Sequence, residues 1–539
     1  MQLKHNTKYL LACIVMVLAA FAQCYKTVHD LHWAYEPDFD RDIAYIRSAL
    51  DGNYGQDPNY AGQFMWYNPM LFIFEATIVK FTGLPINIVV ARAGAFINLL
   101  SPIAFFFMAV KLFDFRVGLA ALLSFLFLTS GNLPCWGAGT YSPWLVSDTF
   151  SQFLFYISIY FCYMAFAKQK MIWFIILGAS LGLTFLGHSA PVFLIILIMI
   201  SLQGQKVIKA LMVGEYNAVG KYFLQGFVTV VPFIVFAFPF LYYVYGKYHF
   251  HFINHAILEC APGIFARKDT LELLKLNVTF SLVISVIGLI WFYKKFDNPL
   301  LKKIIWNWFF ICLVMYVYES ALPTLNKTLH INLPDTIPAF HYFFYLKALQ
   351  SIFFGFGFIF LLSRLILWLN QKNLKIKLSD NVVIVAILFY ALVYYPIYSK
   401  RADFIELREQ AIGKGNEKDK IEVYNFISQK VPLNNVLLCE HGLSLFPVMP
   451  TAIKMVSVET YFSNPYVSYD DRERDRNKML SYLTTGAPAN AVQLFKSYKV
   501  SIVLLTNQDY AKYKQPVFAA SKVLFKNNGY TLLSMKSIK

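Results

Sequence analysis

Long apolar runs alternate with short polar breaks over the first 400 or so residues of the chain. A membrane-spanning helix needs about 20 mostly apolar residues, and about eleven segments approach or reach that length. The third, fifth, sixth and ninth of them are short or lie close to a neighbour. The pattern therefore predicts a mainly α-helical, polytopic transmembrane bundle of about eleven spans. The candidate spans are residues 8–25, 86–110, 117–132, 146–167, 171–187, 190–204, 223–245, 276–293, 304–319, 344–369 and 381–398.

Three polar regions interrupt or follow these apolar runs. They are a long loop after the first span at about 26–85, two loops near 246–275 and 320–343, and a tail from about 399 to the end. The tail alternates helical and strand periodicity, which predicts a separate α/β domain at 399–539 beside a membrane module at 1–398. The predicted tail elements are helices at 417–430 and 488–498 and strands at 436–438, 455–458, 500–505 and 530–534.

Composition excludes several classes of protein. The chain has 539 residues, of which 58% are hydrophobic, 18% aromatic and only 15% charged. These fractions do not fit a soluble enzyme or a disordered chain, because soluble proteins carry about 25% charged residues. Seven cysteines show no metal-ligand spacing, and no glycine-rich loop of the kind that binds nucleotide phosphates follows a predicted strand.

The net charge of +17 is a topology signal. Most lysines and arginines between the spans fall on one side of an alternating bundle, which the positive-inside rule assigns to the cytoplasm. Lys4 and Lys8 place the N-terminus on that side as well. We therefore expect no nucleic-acid partner and an extracytoplasmic tail. The tail shows no clear enrichment in N-glycosylation sequons, which favours a bacterial inner membrane as the location. Ala20-Phe21-Ala22 resembles a signal-peptide cleavage site, although a retained first span is the expectation.

The long first outer loop contains a dense cluster of charged side chains. Four carboxylates and one arginine, Arg41, lie within the seven residues from Glu36 to Asp42. On a helix Asp38 and Asp42 share a face, because they are four residues apart, whereas Asp40 points elsewhere or caps the helix. The loop is predicted to contain two surface helices, at 40–50 and 70–81, with the acidic cluster at the depth of the lipid headgroups.

These carboxylates allow two kinds of chemistry. A carboxylate in a partly dehydrated cleft can act as a general base on a hydroxyl or an amine. A DxD pair such as Asp38 and Asp40 can hold a divalent cation, Mg²⁺ or Mn²⁺, that binds a phosphate leaving group. The alternative is an acidic turn that only caps a helix and pairs with Arg41.

The arrangement resembles the GT-C superfamily of membrane glycosyltransferases. The shared features are an acidic motif at the start of a long outer loop after the first span, two interfacial helices, many further spans and an outer C-terminal domain. Trp66-Tyr67-Asn68-Pro69 and the later turn Gly83-Leu84-Pro85 look like the family's junction with the second span. The WWD-type motif of oligosaccharyltransferase catalytic subunits is missing from the sequence, which disfavours a protein-glycan transferase of that subclass.

The resemblance implies an enzyme that moves a sugar from a polyprenyl-phosphate donor to a glycan, lipid or protein acceptor. Its expected general base is an outer-loop aspartate, with Asp40 or its neighbour Asp38 first and Asp42 next. Direct displacement with a single base predicts inversion at the anomeric carbon. Tyr67, within the junction motif, is expected to contact the donor or the acceptor.

Further residues are candidates for binding the donor or the acceptor. By resemblance, His188 in a short outer turn contacts donor phosphate or sugar, although it also fits an interfacial histidine bonded to backbone. His341 and Lys347 enter the tenth span, where the ammonium can pair with a lipid phosphate or simply extend to the interface. Three more basic residues complete the set, namely Lys247 and Arg267 in the loop near 246–275 and Arg472 in the tail.

Two other functions remain open at this level. A lipid or glycan flippase predicts ionisable residues deep within the spans and a two-fold repeat of broken helices, and the sequence shows few charges at mid-span and no such repeat. A glycan polymerase or ligase predicts a long basic outer loop late among the spans. A membrane glycosyltransferase fits the position of the acidic motif better than either alternative.

Overall fold

The computed structural model describes residues 2–128, 140–254, 275–331, 340–374, 376–486, 491–513 and 521–535. Arg267, one of the predicted binding residues, lies outside these ranges. Up to residue 415 the described ranges contain only helices, joined by turns and loops. They are α1 (Gln2–Val28), α2 (Pro37–Leu50), α3 (Met70–Thr82), α4 (Ile86–Arg92), α5 (Gly94–Ile97), α6 (Leu100–Leu112), α7 (Phe115–Phe127), α8 (Ser147–Lys168), α9 (Met171–Gly187), α10 (Ser189–Val213), α11 (Tyr216–Leu241, continued by a π-helix at Tyr242–Lys247), α12 (Phe280–Lys295), α13 (Pro299–Leu329), α14 (Phe340–Gln371), α15 (Asp380–Tyr398) and α16 (Ala402–Gly415).

The predicted helical bundle is confirmed. Within the described residues, eight helical stretches are long and apolar enough to cross a membrane, judged by length and composition. The three other predicted spans coincide with shorter helices, α7 with 13 residues, α9 with 17 and α12 with 16. The eight longer stretches are Thr7–Val28, Ile86–Leu112, Ser147–Lys168, Ser189–Val213, Tyr216–Lys247, Pro299–Tyr318, His341–Gln371 and Asp380–Gly415.

Small residues allow very close helix packing between α12 and α14. A Cβ atom added at Gly288 would lie 1.8 Å from the carbonyl oxygen of Phe353, and one added at Gly357 would lie 2.1 Å from that of Ile284. Only glycine allows the two backbones to approach this far. Such contacts are typical of helices packed within a membrane, where close van der Waals contact replaces the hydrophobic effect as the driving force.

The tail folds as the predicted α/β domain. Its strands form one sheet of order β2-β1-β3-β5-β4, in which β1 pairs in parallel with β2 and β3, and β5 pairs antiparallel with β3 and β4. Leu437 and Leu438, adjacent on β1, belong to two different apolar clusters, because successive side chains of a strand point to opposite faces. Its elements are α17 (Lys418–Lys430), α18 (Tyr469–Thr485), α19 (Ala491–Ser497), α20 (Asn507–Ala511), β1 (Val436–Leu438), β2 (Lys454–Met455), β3 (Val500–Thr506), β4 (Lys522–Lys526) and β5 (Tyr530–Ser534).

Three features of the tail differ from the sequence-based expectation. The strand predicted at 455–458 is only the two-residue strand β2 at Lys454–Met455. The segment around Asp470–Arg472, predicted as a loop, is the first turn of α18, whose N-terminus is capped by Ser468. Its charged residues mask the helical pattern, because only a few positions of this helix are buried. Strand β4 was not predicted, because most of its residues are exposed or half-buried and its alternation is weak.

The chain divides into two compact units that do not follow the predicted boundary near residue 398. The first unit comprises Met1–His29, Arg92–Phe238 and Pro262–Arg408, and the second comprises Asp30–Ala91, Pro239–Ala261 and Glu409–Lys539. The segment predicted as a loop of the membrane module therefore folds together with the tail.

Buried hydrogen bonds explain why the loop segment belongs to the second unit. The backbone N–H of Met455 donates to the carbonyl oxygen of Asn59 at 2.6 Å. The hydroxyl groups of Tyr60 and Ser463 are 2.9 Å apart, and the side-chain amide of Asn464 donates to Oδ2 of Asp57 at 2.8 Å. No local sequence pattern could reveal these pairings, which join residues about 400 positions apart.

Candidate active site

The acidic motif lies on the first turns of α2. This helix begins at Pro37, three residues before the predicted start, because proline is favoured at the first helical position. Asp40, Arg41 and Asp42 are buried, whereas the side chain of Asp38 is 41% exposed. The three candidate aspartates therefore occupy different environments.

Arg41 joins two of the three aspartates. Its Nη1 lies 2.5 Å from Oδ1 of Asp38, and its Nε and Nη2 donate to Oδ1 of Asp42 at 3.0 and 2.8 Å. The guanidinium stacks over the ring of Tyr67, with its central carbon 3.6 Å from the ring centroid. Asp38 and Asp42 thus share a helix face, as their spacing predicts, and Tyr67 contacts this cluster.

Asp40 points away from this cluster and forms a buried ion pair. The Nζ atom of Lys414 lies 2.7 Å from Oδ1 of Asp40, and both side chains are at most 5% exposed. The ring of Phe446, 4.8 Å from Nζ, packs beside the pair. Burial raises the pKa of the Asp40 carboxyl, although Lys414 opposes the shift. This placement disagrees with the expectation that Asp40 is the first choice for the base, because its carboxylate is enclosed and already paired.

Glu75 on α3 is a further buried acid, and the charge of Asp42 acts on it. Glu75 is 0% exposed, and among the described residues neither of its carboxyl oxygens has a hydrogen-bond partner. Burial raises the pKa of Asp42 to about 6, against the opposing effect of Arg41. Burial, and then the charge of Asp42, raise the pKa of Glu75 well above its usual range. The sequence analysis missed Glu75, whose only local signal is an acid alone in an apolar helix.

The predicted cation pair of Asp38 and Asp40 does not form. Asp38 pairs with Arg41, and Asp40 pairs with Lys414 on another helix. In the described ranges no group of three or more His, Cys, Asp or Glu side chains is arranged to hold a metal ion. These two carboxylates therefore do not fit a shared Mg²⁺ or Mn²⁺ ion in this arrangement.

In the first unit, two predicted histidines come together. The rings of His188 and His341 stack with centroids 4.7 Å apart. His188 caps the N-terminus of α10, because its Nδ1 accepts a hydrogen bond from the backbone N–H of Ala190 at 3.2 Å. A nitrogen that accepts carries no proton, so the ring proton of neutral His188 lies on Nε2.

Lys347 places a buried amino group on α14. It is 5% exposed, its Nζ has no hydrogen-bond partner within the described part of the chain, and the Phe343 ring lies 5.5 Å away. The charged groups that act on it are Arg401 and Asp403. Both carboxylate oxygens of Asp403 accept from Arg401, at 2.9 and 2.7 Å. The amino group of Lys347 therefore has no carboxylate of its own among these three residues.

The other predicted binding residues have different surroundings. Lys247 is exposed at the end of the π-helix, with Nζ 5.2 Å from the ring centroid of Phe64. Arg472 is half-buried, donates to the carbonyl oxygen of Val456 at 3.0 Å and lies over the ring of Tyr60 at 4.2 Å. Its contacts stabilise the joint between the loop segment and the tail.

Solved structures with the same fold are membrane glycosyltransferases of the GT-C superfamily. ArnT from Cupriavidus metallidurans in the apo state is 12% identical and covers 97% of this chain and 97% of its own, with a TM-score of 0.55. The same protein bound to undecaprenyl phosphate is 11% identical over 97% and 98%, with a TM-score of 0.53. The apo oligosaccharyltransferase of Archaeoglobus fulgidus is 10% identical over 94% and 71%, with a TM-score of 0.53.

The fold expected from the resemblance is therefore confirmed. No family model matches the chain, and no curated protein matches it by sequence.

Proposed function

We propose that this chain is an integral-membrane glycosyltransferase that moves a sugar from a polyprenyl-phosphate donor to an acceptor on the extracytoplasmic face, with Asp38 as the general base. The observation that carries the proposal is the position of Asp38, the one aspartate of the motif with an exposed carboxylate, at the start of the loop segment of a GT-C fold. The likeness to ArnT bound to undecaprenyl phosphate supports a polyprenyl-phosphate donor.

The proposed reaction is a single displacement. Asp38 takes the proton of the acceptor hydroxyl as the acceptor oxygen attacks the anomeric carbon. The bond between that carbon and the phosphate oxygen breaks, and the electron pair leaves with the polyprenyl phosphate. Attack opposite to the leaving group inverts the anomeric centre. A general base of this kind contributes about 10²–10⁴-fold to the rate.

Arg41 orients the base in this proposal. It holds Asp38 through Nη1, and its other nitrogens are fixed by Asp42. The ring of Tyr67 covers one face of the guanidinium, which restricts its motion and excludes water from that side. The rotamer of Asp38 is therefore set by a side chain that is itself held on two sides.

Lys347 is the proposed ligand of the donor phosphate. Its amino group is buried and has no carboxylate partner, because Arg401 occupies both oxygens of Asp403. A phosphate would supply a negative charge and accept charge-assisted hydrogen bonds. The Nε2–H of His188, near His341, is a second proposed donor to the phosphate or the sugar.

The test is transfer activity of the purified protein with a panel of polyprenyl-phosphate sugars. Asp38→Asn is expected to lower kcat by about 10²–10⁴-fold with an unchanged unfolding temperature. The matched control is Asp51→Asn, which changes an exposed carboxylate at the other end of the same helix and is expected to retain full turnover. Full turnover by the Asp38→Asn variant would remove the assignment of the base.

A further inference from the structure

Helix α3 presents its single acidic side chain to the protein interior and apolar side chains outward. Among its 13 residues only Glu75 and Lys80 are charged. The buried positions are Leu71, Phe72, Glu75 and Ala76, whereas Ile73 and Phe74 are exposed. An ionisable group on the inner face of an apolar helix is expensive to keep there, so such residues are most often functional.

The surroundings of Glu75 determine which form of its carboxyl is stable. It is fully buried, and within the described ranges neither oxygen has a hydrogen-bond partner. An isolated carboxylate in such a place would lack both solvent and counter-charge, which favours the neutral acid. The charged group that acts on it is Asp42, on the helix packed against α3.

One carboxylate oxygen of Asp42 is available to accept a further hydrogen bond. Its Oδ1 accepts both hydrogen bonds from Arg41, and its Oδ2 is buried without a hydrogen-bond partner in the described part of the chain. Two buried carboxyl groups whose charges repel each other cannot both be charged at low cost, and a proton on one of them resolves the conflict. Because Arg41 stabilises the charged form of Asp42, the proton belongs on Glu75.

We propose that Glu75 is a protonated positioning residue whose carboxyl O–H donates to Oδ2 of Asp42. This bond fixes the Asp42 carboxylate in the orientation that binds Arg41. Arg41 then keeps Nη1 directed at Asp38. The effect on catalysis rests on the proposed function, since Glu75 acts on the base only through these two side chains, whereas its protonation state can be measured without any substrate.

Two substitutions distinguish the roles that a buried acid could have at the position of Glu75. If Glu75 serves as a neutral donor, glutamine can replace it, since the amide N–H donates to Asp42 without any charge. If the site requires a carboxylate, glutamine cannot replace it. Alanine removes the donor in both cases, so Glu75→Gln and Glu75→Ala together distinguish a hydrogen-bond donor from a charge and from simple packing.

Infrared difference spectroscopy on the full-length protein in detergent tests the protonation state directly. The wild type is expected to show the C=O stretch of a protonated carboxylic acid at neutral pH, shifted in D₂O, and Glu75→Gln is expected to lose that band. Lys80→Gln, an exposed change on the same helix, is the matched control and should retain it. A spectrum without a difference between the wild type and Glu75→Gln would overturn the proposal.

Turnover with a polyprenyl-phosphate sugar tests the positioning role. Glu75→Gln is expected to retain kcat within about threefold, and Glu75→Ala to lose about tenfold or more, the effect of one hydrogen bond. Loss of turnover in a folded Glu75→Gln variant would contradict a neutral donor. If the wild type turns over no polyprenyl-phosphate sugar, the proposed function fails, and the infrared result still decides the state of Glu75.

Discussion

Lys414 Nζ lies 2.7 Å from Oδ1 of Asp40, and the two residues are 374 positions apart in the chain. This ion pair joins α2 to the end of α16 and is enclosed by aromatic rings, including those of Trp33 and Phe446. It accounts for the burial of the central aspartate of the motif, whereas the side chain of its neighbour Asp38 is 41% exposed.

Breaking this pair is expected to destabilise the protein. Lys414→Met leaves Asp40 buried without a partner, which should lower the free energy of unfolding by about 3–5 kcal/mol. The double variant Asp40→Leu/Lys414→Met should recover most of that loss, since neither charge remains. Thermal unfolding in detergent is the measurement. Lys420→Met, at a half-exposed pair with Glu417, is the control and should change stability by less than about 1 kcal/mol.

The buried Asp42 predicts a pH dependence of stability. Its pKa is raised from 3.8 to about 6 in the folded protein, chiefly by burial. The unfolded chain therefore releases this proton at lower pH than the folded chain does, so the stability that Asp42 contributes falls as the pH rises from about 4 to 6 and is level above that range. The loss is on the order of 3 kcal/mol. Asp42→Asn should flatten this part of the profile, whereas Asp51→Asn should leave it unchanged.

Lys347→Met is expected to raise stability and to weaken donor binding at the same time. Methionine fills a similar volume without a buried amino group that lacks a hydrogen-bond partner, which should increase the free energy of unfolding by on the order of 1 kcal/mol. Loss of a charge-assisted bond to phosphate should raise the donor KM by about 10–100-fold. Lys372→Met, just beyond the other end of the same helix, is the control. A stabilised variant with unchanged donor KM would exclude Lys347 from phosphate binding.

Asn464 is expected to anchor the loop segment to the tail. Its side-chain amide donates to Oδ2 of buried Asp57 and also lies 3.0 Å from the hydroxyl of Tyr248. Asn464→Ala leaves Asp57 with fewer hydrogen bonds, which should cost about 1–3 kcal/mol of stability. Limited proteolysis should then cut residues 51–68 faster than in the wild type. Asn434→Ala, at an exposed position, should behave like the wild type in both measurements.

Features that depend on neighbouring positions were predicted well from the sequence. Apolar runs gave the helices of the bundle, and the strand at 436–438 was predicted at its observed bounds. The four-residue spacing predicted that Asp38 and Asp42 share a face. In the structure Arg41 binds both carboxylates. Each of these results needs only helical or strand periodicity and side-chain polarity, both of which are properties of a short window of sequence.

Long-range packing decided the rest. The partner of Asp40, the joint of Asp57 with Asn464, and the lack of a carboxylate partner for Lys347 all depend on residues that are distant in the chain. Glu75 is the clearest case, because its helix is apolar enough to be predicted as interfacial, and only the packing against α2 shows which side its carboxyl occupies. Local sequence determined which residues carry charge and which segments are helical. The tertiary structure alone decided which of those charges are buried, paired or open to a substrate, because burial is a property of the whole fold.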